Sequence, residues 1–343
     1  MTLLSRRAFA LGLGVMATPV RAQVVQNVNV NVNVNVHVVL IPEARAHAGS
    51  AFNMATGEFV LYGGYVFRDG APKIVGDIWA WNGERWRILN GDAKGTDKGT
   101  YDARIVPAMA YDSHRSRMLM FGGFADKTTD DGRLMVLDGG TWRLISDDPA
   151  MARGGPAMIY DSRRDRVVLF GGRHGQTELS DTWEFDGEKW AQTWKSGPSL
   201  RDPTSMTYDE GRGVAVLYGG FRPLDALDDT WEWNGQAWTQ VPVKGPGARA
   251  WSGLAYDSKR KRVILFAGED ADGHFRNDTW AYDGQTWAKI ADAGPPPRVQ
   301  FVMSYDPRRD RVVIFGGQGE KGYLGDTWEF DGDRWLDVSP KAS

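Results

Sequence analysis

The chain has 343 residues, among them 42 glycines and 15 tryptophans, and it contains no cysteine. Lack of cysteine excludes a disulfide framework, a thiolate metal site and a thiol nucleophile together. The balance of 41 basic against 44 acidic side chains, net −3, leaves no electrostatic footprint for nucleic acid, and no apolar run approaches the ~18 residues that a membrane crossing needs.

Residues 1–22 read as a cleavable export signal. Ser5-Arg6-Arg7-Ala8-Phe9-Ala10-Leu11 resembles a twin-arginine motif, a short apolar run follows from Ala8 to Ala17, and Val20-Arg21-Ala22 offers small residues for cleavage before Gln23. The expected location is therefore periplasmic or secreted, in a bacterium. Residues 23–44 form an arm in which valine alternates with a polar side chain from Gln26 to Val38, the two-residue period of a β-strand. Val34 falls where the later repeats carry tryptophan, so the arm is expected to pair with the last repeat and help close the array.

From residue 45 to residue 340 the chain repeats itself every 48–59 residues. An aromatic-Gly-Gly triplet appears as Tyr62-Gly63-Gly64, Phe121-Gly122-Gly123, Phe170-Gly171-Gly172, Tyr218-Gly219-Gly220, Phe266-Ala267-Gly268 and Phe315-Gly316-Gly317. Some 10 to 14 residues after its first glycine comes Asp77, Asp181, Asp229, Asp278 or Asp326, each two residues before a tryptophan. A second tryptophan follows seven residues later: Trp86, Trp190, Trp238, Trp287 and Trp335. Repeat two keeps only that last column, as Trp142, with Met135 in place of the first tryptophan. Within each unit the runs are short, alternating and bounded by Gly, Asp or Asn, so they read as strands. In the third unit these are Pro156–Tyr160, Arg166–Phe170, Thr182–Phe185 and a last strand from near Lys189.

This pattern resembles the kelch repeat, whose period is about 50 residues. The resemblance implies an all-β fold, a six-bladed propeller with one four-stranded antiparallel blade per repeat around a central channel. The blades are expected over 45–90, 104–146, 153–194, 201–242, 249–291 and 298–339. The paired tryptophans are expected as apolar plates between blades.

Naming the strands of a blade A to D, with A along the channel, puts the A–B and C–D turns on one face and the B–C and D–A connections on the other. All length variation lies on the second face, where binding is expected. One column there is invariant: Arg45, Arg104, Arg153, Arg201, Arg249 and Arg298 each precede the strand A aromatic by seven residues. These arginines are either an anion-binding crown at the channel mouth or a structural latch onto a loop carbonyl or the aspartate that opens strand C. Counting from the arginine, positions +5 (Met109, Met158, Met206, Leu254, Met303) and +7 are expected on the buried inter-blade face. Position +4 is small everywhere except Val302 (Gly49, Ala108, Ala157, Ser205, Gly253), as crowding at the channel wall requires. Position +2 differs from blade to blade (His47, Val106, Gly155, Pro203, Trp251, Gln300), and a site is sought where a repeat breaks its own symmetry. His47, Trp251 and Gln300 are the binding candidates.

Other chemistry is sparse. The acidic loop Glu269-Asp270-Ala271-Asp272-Gly273-His274 offers oxygen ligands through Asp270 and Asp272, but the rest of a calcium-loop pattern is missing. No nucleophile elbow or phosphate loop is present, and no cofactor is implied. The favoured reading is a non-enzymatic module that takes a protein or glycan partner on the B–C/D–A face. The alternative is a carbohydrate-acting enzyme such as a sugar-acid mutarotase or epimerase, with His47 as its acid–base residue. Copper-oxidase chemistry of the galactose-oxidase kind drops out, because its crosslinked cofactor needs a cysteine.

Overall fold

Each repeat folds on the same local instructions. At the end of strand A the side chain of Asp161, Asp209, Asp257 or Asp306 accepts hydrogen bonds from backbone N–H groups two or three residues on, which turns the chain into strand B. Asn82, Asp186, Asn234, Asp283 and Asp331 do the same between strands C and D. The computed structural model describes residues 40–91, 103–125, 130–194, 197–202, 205–222 and 225–341. The N-terminal arm and the export signal lie outside them, except for Leu40 to Ala44.

Among the described residues six antiparallel sheets of four or five strands follow in chain order, each built from one repeat, with four smaller ones beside them. Blade 1 comprises Gly49–Asn53, Glu58–Tyr62, Ile78–Trp81 and Trp86–Asn90. Blade 3 comprises Ala157–Asp161, Arg166–Phe170, Thr182–Phe185 and Trp190–Trp194, within a residue of the expected bounds. Blade 6 ends with its own strand D, Trp335–Asp337, paired to Thr327–Phe330. Neighbouring A strands lie against one another in cyclic order, and strand A of blade 1 contacts strand A of blade 6, so the ring closes. Strand B is the most buried of each sheet: Val216, Leu217 and Tyr218 are fully enclosed, as are Ile264, Leu265 and Phe266. Among the described residues no helix is long and apolar enough to cross a membrane.

The second tryptophan of each blade packs on the triplet aromatic of the blade before it. Ring centroids lie 4.6–5.2 Å apart in the pairs Trp86–Phe315, Trp142–Tyr62, Trp190–Phe121, Trp238–Phe170, Trp287–Tyr218 and Trp335–Phe266. Trp86 on Phe315 joins the two ends of the array. Four of these indoles also donate to the threonine that opens strand C of the preceding blade: Trp86 to Thr327, Trp238 to Thr182, Trp287 to Thr230 and Trp335 to Thr279, at 2.8–3.0 Å. Where that position holds Ile78 or Leu134 there is no oxygen to accept, and the indole nitrogens of Trp142 and Trp190 are buried without a partner.

The B–C connections are small hairpins, such as Tyr65–Arg68 with Ala71–Ile74 in blade 1. Each pairs with the segment that follows an invariant arginine, for example Arg45 with Val66 and Arg249 with Asp270. This places the B–C and D–A connections together on one face.

Candidate functional site at the channel mouth

The six invariant arginines are the frame of that face. None is more than 3 % exposed. In every blade one terminal nitrogen donates to the backbone carbonyl 18 residues on, from Arg45 to Gly63 at 3.1 Å through Arg298 to Gly316 at 2.9 Å. Five guanidinium groups then grip the strand C aspartate with both forks: Arg45 on Asp77, Arg153 on Asp181, Arg201 on Asp229, Arg249 on Asp278 and Arg298 on Asp326. The same carboxylates accept the first tryptophan's indole N–H, as in Trp231 to Asp229 at 2.6 Å. Burial works to raise Asp229, but the Arg201 guanidinium outweighs it and holds the carboxyl below its ordinary range. The anion-crown expectation is corrected here. Buried guanidinium groups already neutralised by a bidentate carboxylate offer no free fork to a ligand.

Blade 2 solves the same problem differently. In the aspartate column it has Arg133, the first residue of its strand C, and Asp131 two positions earlier takes over, pairing with Arg104 at 2.9 Å and Arg133 at 2.6 Å.

The +2 tier sits just inside this frame and carries the three side chains singled out from the sequence. His47, Val106, Trp251 and Gln300 adopt left-handed backbone with φ of 45–60°, and Gly155 has φ 65°. The cause is a chain of backbone hydrogen bonds from blade to blade: His47 N–H to Gln300 C=O at 3.0 Å, Val106 N–H to His47 C=O at 2.7 Å, and Gly155 N–H to Val106 C=O at 3.1 Å. Left-handed backbone at a β-branched residue such as Val106 costs on the order of 1–3 kcal/mol, and such strain gathers at sites held by their surroundings. Pro203 lies outside the described residues.

The structure brings His47 and Trp251 together from blades 1 and 5, edge to face with centroids 5.1 Å apart, and sets Tyr65 against the other side of His47 at 5.7 Å. Burial without a compensating partner pushes the His47 imidazole down to about 4, so it is neutral at physiological pH. Its Nδ1 and the Gln300 Oε1 are both buried without a hydrogen-bond partner. No acid hydrogen-bonds to His47 among the described residues.

Beneath the mouth runs a channel cavity of about 190 Å³, walled by Ser50, Met109, Met158, Met206, Leu254 and Met303. The +5 column therefore faces the channel as well as the neighbouring blade. It also explains the glycines at +4. A Cβ on Gly253 would stand 2.6 Å from Met303 Sδ, and one on Gly49 would stand 3.0 Å from Met109 Sδ. At these two positions the next blade's methionine fills the space a side chain would need.

A residue missed by the sequence reading breaks symmetry one position earlier. The +1 column reads Ala46, Ile105, Gly154, Asp202, Ala250 and Val299. Asp202 points its Oδ1 into the space beside Gly155, 2.4 Å from where a Cβ would be. Its carboxyl is pushed up to about 7, by burial first, with Glu178 adding and Arg173 opposing. Arg173 Nε stands 3.6 Å from Asp202 Oδ2 and its guanidinium lies over Phe124. The +1 column carried the signal, a lone acid among small and apolar residues.

Two outlying features complete the face. Asp270, Asp272 and His274 lie close enough to share an ion. The Asp270 carboxylate, however, already accepts the backbone N–H groups of Asp272 and His274 and pairs with Arg276, as an ordinary turn would. On the blade 1 hairpin, Phe67 is 64 % exposed, the most exposed large apolar side chain described.

A closed ring of four-stranded antiparallel sheets, with its variable hairpins gathered at one mouth of the channel, defines a β-propeller. Residues 232–342 match the family model of the KLHDC2/KLHL20/DRC7 Kelch-repeats domain. The matched segment is one of kelch repeats, and the same columns run through every repeat of the chain. No curated protein matches it. Kelch propellers of this kind serve as protein-interaction modules.

Proposed function

We propose that this propeller binds a protein partner on its B–C/D–A face, with the blade 1 hairpin as the anchor and the channel mouth as the adjoining polar contact. The observation that carries this is Phe67, a large aromatic held out to solvent on a paired hairpin. Aromatic anchors on rigid supports dominate binding energy at protein interfaces. On the opposite face the A–B turns are tied down, as Arg163 shows by donating to the backbone carbonyls of Glu210, Gly211 and Arg212 in the next blade. The twin-arginine-like segment of residues 1–22 supports a place for the partner in the bacterial envelope or outside the cell.

The enzyme reading draws support from one observation, the Asp202 carboxyl poised near neutrality, since acid–base catalysis needs such a group. The neutral, acid-free surroundings of His47 speak against His47 as its partner, and the engaged arginines speak against a sugar acid as its substrate.

The test is capture from an envelope extract by the mature wild-type chain, Phe67→Ala and Glu188→Arg, the last on a C–D turn of the opposite face. Partners held by wild type and Glu188→Arg but lost from Phe67→Ala support the reading. Equal capture by Phe67→Ala, or loss only with Glu188→Arg, refutes it.

A further inference from the structure

Five of the six blade interfaces described are crossed by polar side-chain bonds. Between blades 6 and 1 Trp86 reaches Thr327, Trp81 reaches Glu329 at 2.9 Å, and Arg308 donates to the Ala55 carbonyl. Between blades 2 and 3 Arg115 grips Asp165 with both forks and His114 meets the Tyr160 hydroxyl. Blades 3 and 4 share Trp238–Thr182, Trp233–Glu184 and Tyr208–Asp161. Blades 4 and 5 share Trp287–Thr230 and Tyr282–Glu232. Blades 5 and 6 share Trp335–Thr279 and Arg260–Asp310.

Between blades 1 and 2 each of these devices has lost a member. Ile78 stands in the threonine column, and the Trp142 indole nitrogen facing it is buried without a partner. Ala80 stands where blades 3, 4 and 6 have Glu184, Glu232 and Glu329, and Leu137 stands where a tryptophan or tyrosine would donate to it. The A–B turn of blade 1 is Met54-Ala55-Thr56-Gly57, with no arginine to reach forward. In the other blades that arginine lies against a C–D turn glycine of the next blade, as Arg164 does at Gly235. Gly139, on the C–D turn of blade 2, has open space beside it. Among the described residues the core that remains is rich in methionine: Met109, Met118, Met120 and Met135 with Ala51, Val60, Tyr62 and Ile78. Methionine is flexible and fills space without fixing one packing.

We propose that the propeller opens first between blades 1 and 2, while the junction of the chain ends stays shut. The seam is a hinge built by substitution at the latch columns. Among the described residues no charge pair ties blade 1, which carries Phe67, to blade 2.

Peroxide oxidation of the mature protein tests this, because oxygen transfer to a buried thioether, giving sulfoxide and water, reads out transient opening. Met118, Met120 and Met151 are 1 %, 0 % and 0 % exposed, and Met151 lies in the core between blades 2 and 3. Mass spectrometry should find Met118 and Met120 oxidised faster than Met151. Ile78→Thr, by giving Trp142 an acceptor, should slow Met118 and Met120 about fivefold, the equivalent of ~1 kcal/mol for one hydrogen bond. Ile78→Val controls for packing, and Leu134→Thr, which serves Trp190 at the next seam, should leave both methionines unchanged. Equal oxidation of all three methionines, or the same effect from Ile78→Val as from Ile78→Thr, overturns the proposal.

Discussion

Replacing Thr182 by valine keeps its shape and removes one hydroxyl. That hydroxyl is the acceptor for the Trp238 indole N–H at 2.8 Å, and Thr182 is 1 % exposed, so water cannot take its place. A buried donor left without an acceptor costs about 1–3 kcal/mol. For a domain of roughly 300 residues the unfolding entropy converts each kcal/mol into about 1.5–2 °C, so the melting temperature should fall by ~2–6 °C. Scanning calorimetry on wild type and Thr182→Val measures it, with denaturant midpoints as a second readout. Thr230→Val and Thr279→Val should fall by similar amounts, since their tryptophans bond at 3.0 and 2.9 Å. Leu134→Thr, which adds the missing acceptor beneath Trp190, should move the other way or cancel against lost packing. If Thr182→Val melts within 1 °C of wild type, the hydroxyl is not a latch, and the account of the inter-blade columns fails.

Arg201→Gln should destabilise by about 3–5 kcal/mol, because it leaves the half-buried Asp229 carboxylate unpaired; urea titration checks it. Asp202, pushed up to about 7, binds its proton more tightly folded than unfolded, so its contribution makes stability fall as pH rises from about 4 to 7. Asp202→Asn should therefore match wild type near pH 4 and exceed it at pH 8 by a few kcal/mol at most, read from denaturant midpoints across that range. His47, pushed down to about 4, has the opposite linkage: its contribution is present above its ordinary value near 6.5 and is lost as pH falls from there towards 4. Ring-nitrogen NMR at pH 6 should show it neutral, and a protonated His47 at that pH would contradict the buried, acid-free setting.

How much of this protein is legible in its sequence depends on the kind of interaction involved. The blades are local: an alternating run, an Asp or Asn turn and a second run appear within some fifty residues. Repetition then averages away the ambiguity of any one strand. The tryptophan columns declare the blade interfaces for the same reason, since an apolar plate needed at every seam recurs at every seam. The arginine column was visible but double-edged. A guanidinium facing solvent and one locked on Asp229 look alike in sequence, and only the fold, which brings the residue opening strand C against the segment before strand A, 28 residues on from Arg201, decides between them. His47 and Trp251 stand out as broken symmetry, yet their contact joins residues more than 200 positions apart and exists only because the ring closes. Asp202, a lone acid in the +1 column, went unread, and only the fold sets its carboxylate beside Gly155. Sequence thus determined the repeating unit and its joints, because those are set by neighbours along the chain. Tertiary structure alone decided which polar groups are neutralised and which are left poised at the mouth, because burial and partners are properties of the closed ring.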